Sequence, residues 1–203
     1  MGRFAELLDH DGVEEDVELR SRFGLMAFHG GNLEEGTDVI AAAVAEQAGA
    51  SLYAVRQPIG LRWHLPSVEI GPADSPALAA FLEHVDVAIA IHGYYRQGWF
   101  TTLLLGGQHR ALAAHVGTHL RAAMPDDYLV IDELEQIPAE LRGVHRANPV
   151  NLPRHGGVQL ELPPRTRSRT VPMWRDLLDT EPVPHGQDLI AGLVAAVRSW
   201  RDD

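Results

Sequence analysis

Gly24-Leu25-Met26-Ala27-Phe28-His29-Gly30-Gly31-Asn32-Leu33-Glu34-Glu35-Gly36-Thr37 sets an apolar run against a histidine, two glycines and a carboxylate. Such a run reads as a buried strand of a parallel sheet, which delivers its polar residues at the carboxyl end, where α/β proteins bind ligands. Imidazole and carboxylate are both zinc donors, and glycines allow the backbone to turn sharply enough to bring two close donors to one ion. Working outward, Thr37 to Gln47 is alanine-rich with helical spacing, and Gly49 is its expected stop. A second apolar run, Val85-Asp86-Val87-Ala88-Ile89-Ala90-Ile91-His92-Gly93, ends in the same way, which makes His92 the candidate third ligand.

Further buried strands are expected at Ser51 to Val55, Tyr128 to Ile131 and Val158 to Leu162, with helices at Pro76 to Glu83, Gln108 to Ala123 and Gln187 to Trp200. Strands alternating with helices predict an α/β fold, a single-domain three-layer α/β/α arrangement around a mostly parallel mixed sheet. One domain spans 1–203, with an acidic N-terminal segment over about residues 1–20. The most linker-like piece, Pro163 to Arg169, lies too near the C-terminus to divide the chain. His29, His92 and Glu161 then project from the carboxyl ends of three strands toward one edge.

Composition narrows the chemistry. The 203 residues include no cysteine, which removes disulfides, thiolate metal sites and a cysteine nucleophile, so any metal is held by nitrogen and oxygen. All seventeen basic residues are arginine, so a catalytic lysine or Schiff base is excluded. A formal charge of -11 argues against nonspecific binding to nucleic acid or anionic membranes, while leaving room for a local arginine patch that holds an acidic substrate. No apolar run approaches the ~20 residues of a membrane helix, the first eighteen residues have no apolar core of the kind a secretory signal carries, and cytoplasm is the expected compartment.

Each residue also has a plainer reading. His29 could end a strand in an ordinary turn, and His92 could be a buried, hydrogen-bonded core histidine. Glu34 could serve as a capping or macrodipole partner of the following helix, near Thr37. Gln159 and Glu161 alternate with apolar neighbours, as they would on the solvent face of a half-buried strand; the functional alternative makes Glu161 a general base beside a metal. His10, His84, His109, His115, His119, His145 and His185 read as surface or packing residues.

Four blocks in order resemble the poly-γ-glutamate hydrolase family, a branch of the zinc carboxypeptidase-like fold. They are His29-Gly30-Gly31-Asn32-Leu33-Glu34-Glu35-Gly36-Thr37, His64-Leu65-Pro66-Ser67, Ile91-His92-Gly93-Tyr94 and Gly157-Val158-Gln159-Leu160-Glu161-Leu162. Between Leu65 and Pro72 only the serine of the family's pattern is kept beside His64, and the His29-to-Glu34 interval is longer than in carboxypeptidases. The resemblance implies Zn2+ held by His29, Glu34 and His92, with Glu161 as general base and His64 either near the metal or on substrate. It further implies metal-assisted hydrolysis of an amide in an acidic peptide or polymer. Arg146, Arg154 and Arg165, which flank Asn148, Asn151 and the Glu161 strand, are the candidate carboxylate-binding residues. The rival readings are an N-acyl amino acid deacylase of similar fold and zinc chemistry (aspartoacylase-like), and a metal- or carboxylate-binding module without turnover.

Overall fold

The computed structural model describes residues 2–167 and 184–201. Seven strands, β1 (Glu14–Glu18), β2 (Phe23–Gly31), β3 (Ser51–Gln57), β4 (Val87–Gly93), β5 (Thr102–Leu105), β6 (Leu129–Ile131) and β7 (Gly157–Leu162), form one sheet in the order β1-β3-β2-β4-β7-β5-β6. The β2–β3, β2–β4, β4–β7 and β5–β6 pairings are parallel, whereas β1–β3 and β5–β7 are antiparallel. The sheet is therefore mixed and mostly parallel, as expected.

Helices α2 (Thr37–Ala48), α4 (Arg110–Ala123) and α6 (Pro184–Ser199) cover one face. There they bury Leu25, Ala27, Ile89, Ile91, Val158 and Leu160. The shorter α1 (Arg3–Leu8) and α3 (Pro76–His84), with Leu65 and Ile70 around the 3-10 turn at Ser67–Glu69 and Val150 in the one at Pro149–Asn151, cover the other face over Met26, Phe28, Tyr53, Val55, Ala88 and Ala90. Alternate residues of each central strand thus feed two cores. Burial on both faces is what makes β2 and β4 read as continuous apolar runs in the sequence. Helix α3 starts on Ser75, whose side chain accepts from the Leu78 amide, with Pro76 in the first turn. Gly49, in the left-handed region, closes α2. A third short helix, Pro164–Arg167 (α5), follows β7; Ser168 and Arg169, the end of the arginine-rich piece, lie outside the described residues.

Strands β1 and β5 are not among those expected from the sequence pattern. Strand β1 lies in the acidic N-terminal segment, an edge strand with charges that pair across to β3, where Arg56 bonds Glu14 and Asp16. Strand β5 spans only four residues, and its antiparallel run beside β7 places Leu104 opposite Glu161. Among the described residues no helix is long and apolar enough to cross a membrane.

Two features of β2 open a crevice. Pairing with β4 stops at Met26–Ala90, and the register with β3 shifts between Ala27 and Gly30. Strict alternation would send His29 to the α2 face with Leu25 and Ala27; after the shift its ring lies 5.1 Å from that of His92, on the opposite face. Gly31 follows at φ +66°, with no room for a Cβ against the Gln57 carbonyl oxygen. Gly31→Ala is expected to cost about 2–4 kcal/mol in urea denaturation, because a backbone clash adds to the left-handed strain. Gly49→Ala, at φ +70° with open space around it, is the comparison and should cost about 1–2 kcal/mol. Equal costs would show that the clash at Gly31 is relieved.

Candidate active site

The carboxyl ends of β2, β4 and β7 bring His29, His92 and Glu161 together, and the parallel β4–β7 register sets His92 directly beside Glu161 and Ala90 beside Gln159. All of these polar side chains are buried: His29 is 2% exposed, His92 4% and Glu161 4%. Glu34 reaches the same point from the turn after β2. It does not cap α2, whose N-cap is Gly36 and which has no side-chain capping bond. Thr37 instead bonds the Glu34 carbonyl, holding the turn so that the carboxylate enters the crevice.

The protonation pattern of His29 is set by its partners. Nε2 lies 2.9 Å from the Leu65 carbonyl oxygen, which can only accept, so Nε2 carries the proton. In a neutral ring Nδ1 is then a bare lone pair, 2.9 Å from Glu34 Oε1, itself an acceptor. Two acceptors this close need a cation between them, a second proton or a metal ion. The other Glu34 oxygen accepts the Gly93 amide at 2.8 Å and lies 3.5 Å from His92 Nδ1. His92 Nε2 is buried with no hydrogen-bond partner, and the ring packs 5.9 Å from Phe28. His64, exposed on the loop after β3, sets its ring 4.8 Å from His29. One donor atom each from His29, Glu34 and His64 lie within 4.8 Å of one another. These nitrogen and oxygen donors, a backbone-fixed tautomer and a carboxylate between imidazoles fit a divalent cation.

The two carboxylates are driven in opposite directions. Burial disfavours charge on Glu34, yet His29 and His92 overcome it and hold the group well below the ordinary carboxylate range. Burial pushes Glu161 up to about 7, reinforced by Glu34, with His92, Gln159 and Arg167 acting against the rise. On His92 burial opposes the charged ring, but Glu34 prevails and raises its pKa.

Around this centre lies a cleft of roughly 880 Å3, whose lining includes His64, Ser67 and the 139–148 segment with His145 and Arg146. Arg146 lines this cleft, and so does His145, which is exposed there. Arg154 and Arg165 do not line the cleft. Arg154 is exposed and sits in the field of Asp86, ahead of β4 and at the strand end opposite His92, where Arg22 is the main partner. Arg165 pairs with Asp127 at 2.9 Å and lies over the Tyr128 ring.

Three polar residues at the site escape the sequence reading. Gln159 is buried and donates from Nε2 to Glu161 Oε1 at 2.8 Å, while Asn148 donates from Nδ2 to Gln159 Oε1 at 2.7 Å. Arg167 bonds the carbonyls of Leu162 and Glu35, and its guanidinium fills the space that a side chain at Gly93 would need. Burial lowers its pKa against the pull of Glu34, Glu35 and Glu161. A left-handed Gly36 passes so close to the Arg167 carbonyl that a Cβ could not fit. Gly36 and Gly93, each within a block singled out in the sequence, are the one signal that could have pointed to this packing.

The chain matches the model of a family described as poly-gamma-glutamate hydrolase over residues 3–174. Among solved structures it is similar to a bacteriophage poly-gamma-glutamate hydrolase, with a TM-score of 0.76, 20% identity, and coverage of 94% of this chain and 91% of that one. It is similar also to YNDL in a zinc-free apo form, with a TM-score of 0.72, 17% identity, and coverage of 96% and 94%. No curated protein matches the sequence.

In metal-free protein the raised Glu161 pKa has a definite stability consequence. Its contribution is fully present below pH 4.5, where the group is protonated folded or unfolded, and is lost as pH rises to about 7, because the unfolded chain ionises first. The loss is on the order of 3 kcal/mol. Urea titrations of chelator-treated protein between pH 4 and 8 should show this slope in the native sequence and a flatter one in Glu161→Gln; identical slopes would contradict it.

Proposed function

The chain belongs to the poly-gamma-glutamate hydrolase family and is a hydrolase of amide bonds, and from that footing we propose that it cleaves γ-linked glutamate polymers or related carboxylate-rich amides with a zinc ion held by His29, Glu34 and His92. The observation that carries the reading is Glu34, a deeply buried carboxylate whose oxygens face His29 Nδ1 at 2.9 Å and His92 Nδ1 at 3.5 Å. When bound, zinc would polarise the scissile carbonyl and lower the pKa of a water molecule to near ~7. A zinc-free form named for one structural neighbour supports the choice of metal.

Glu161 takes the proton from the attacking water and returns it to the departing amine. A carboxyl buried enough to titrate well above an ordinary glutamate is suited to both transfers. His29 keeps its orientation through the Leu65 carbonyl. Arg146 and His64, which both line the cleft, meet the substrate's carboxylates. Arg167, packed behind Gly93, offsets the negative charge of Glu34 and Glu161 from within the protein.

A second reading of the metal ligands has its own support, since His64 rather than His92 joins His29 and Glu34 in the compact donor set. Burial and the unpartnered Nε2 favour His92. Metal analysis of purified variants separates them: His92→Ala should lose zinc along with His29→Ala, while His64→Ala retains it and loses substrate affinity. Loss of zinc from His64→Ala with full retention in His92→Ala would reverse the assignment.

For the chemistry, Glu161→Gln should lower kcat on a γ-linked glutamate polymer by about 10²–10⁴-fold with bound metal unchanged. A shortening polymer identifies the reaction, whereas release of a small acid from blocked amino acids would point to a deacylase. Unchanged turnover in Glu161→Gln would remove the residue from the mechanism.

A further inference from the structure

We infer that Asn148 and Gln159 are positioning residues that form a one-directional amide relay fixing the Glu161 carboxylate, with Asn148 acting only through Gln159. The inference rests on the reading of Glu161 as general base and adds how that base is held.

The relay's direction follows from groups whose roles are not negotiable. The Val150 backbone N–H can only donate, and it lies 3.3 Å from Asn148 Oδ1. The carbonyl of Gly143 can only accept, and it lies 3.3 Å from Asn148 Nδ2. Both contacts orient the Asn148 amide the same way, so its NH2 faces Gln159 Oε1 at 2.7 Å. Gln159 must then present its NH2 at the other end. That group reaches Glu161 Oε1 at 2.8 Å, and a third fixed acceptor, the Leu141 carbonyl at 3.4 Å, agrees with the assignment. Asn148, Gln159 and Glu161 are all buried, at 3%, 6% and 4% exposure. In such surroundings a reversed amide would set oxygen against oxygen, a cost comparable to losing a buried hydrogen bond.

Two consequences follow for the reaction. With Oε1 engaged by Gln159, Oε2 is the oxygen left to receive a proton, so the relay selects one lobe of the carboxylate. The same amides also tie the cleft wall to the base, because Leu141 and Gly143, which accept from Gln159 and Asn148, belong to that wall. A misaligned base lowers turnover more than it lowers binding.

The test is a double-mutant cycle on the full-length, zinc-loaded protein, with kcat and KM measured on a γ-linked glutamate polymer and metal content measured alongside. Gln159→Leu, which keeps the volume but cannot donate, should lower kcat about 10–100-fold with zinc unchanged. Asn148→Leu should lower kcat about tenfold alone and less than twofold further in the Gln159→Leu background. Asn148→Asp is the sharper probe: it can still accept from Val150 but cannot donate to Gln159, so it should fall at least as far as Asn148→Leu. If Gln159→Leu does not fold, Gln159→Met removes the donor in a more adaptable side chain.

Multiplying costs in the double variant, native kcat in Gln159→Leu with full zinc, or native kcat in Asn148→Asp would each overturn the relay. These results are distinct from failure of the functional reading, which would be announced by an active Glu161→Gln variant.

Discussion

A carboxylate taken out of water must be repaid with opposite charge or hydrogen bonds, and Glu34 is the place where this constraint organises the molecule. Its oxygens are met by His29 from β2 and by the amide of Gly93 from the end of β4, with His92 alongside. Those partners are available only because β2 stops pairing with β4 after Met26 and leaves a gap between the strand ends. The sheet's topology and the burial of a single acid are therefore mutually dependent. Removing either imidazole takes away one of the two groups that hold the buried Glu34 ionised.

The separation of Glu34 from Glu161 gives one site two kinds of carboxyl group. Glu34 is kept ionised by the imidazoles and is suited to hold a cation, whereas Glu161, desolvated on β7, is poised to exchange a proton. Divergence of this sort between neighbouring acids is how a single fold assigns acid–base roles without changing residue type. Glu161 has a matching structural signature, since its carboxylate is fixed by a side-chain amide rather than by an arginine.

Strands β2 and β4 are legible in the sequence because each is buried on both faces and shows as an apolar run ending in a histidine and glycine. Glu161 lies instead on a strand whose polar and apolar residues alternate, and the structure brings it together with His29 and His92. Strand β1 escaped because its residues are those of a charged edge, and β5 because four residues carry too little pattern. Gln159 looked like a solvent-facing residue, since alternation on a strand does not say whether the second face is wet; here that face is covered by the 139–148 segment. Asn148 matters only once that segment folds back on β7, and Arg167 is one of several arginines in a row until Gly36 and Gly93 single it out. The likeness to poly-γ-glutamate hydrolases rested on blocks that include the glycines and so captured packing that periodicity alone does not encode.

The contact between Arg167 and Glu35 spans 132 residues of chain, and the space beside Gly93 takes a guanidinium encoded just after β7. During synthesis the block from His29 to Thr37 would emerge long before the strand that supplies Glu161 and the arginine that backs it. The cleft therefore draws on both halves of the chain and is complete only when β7 is laid against β4.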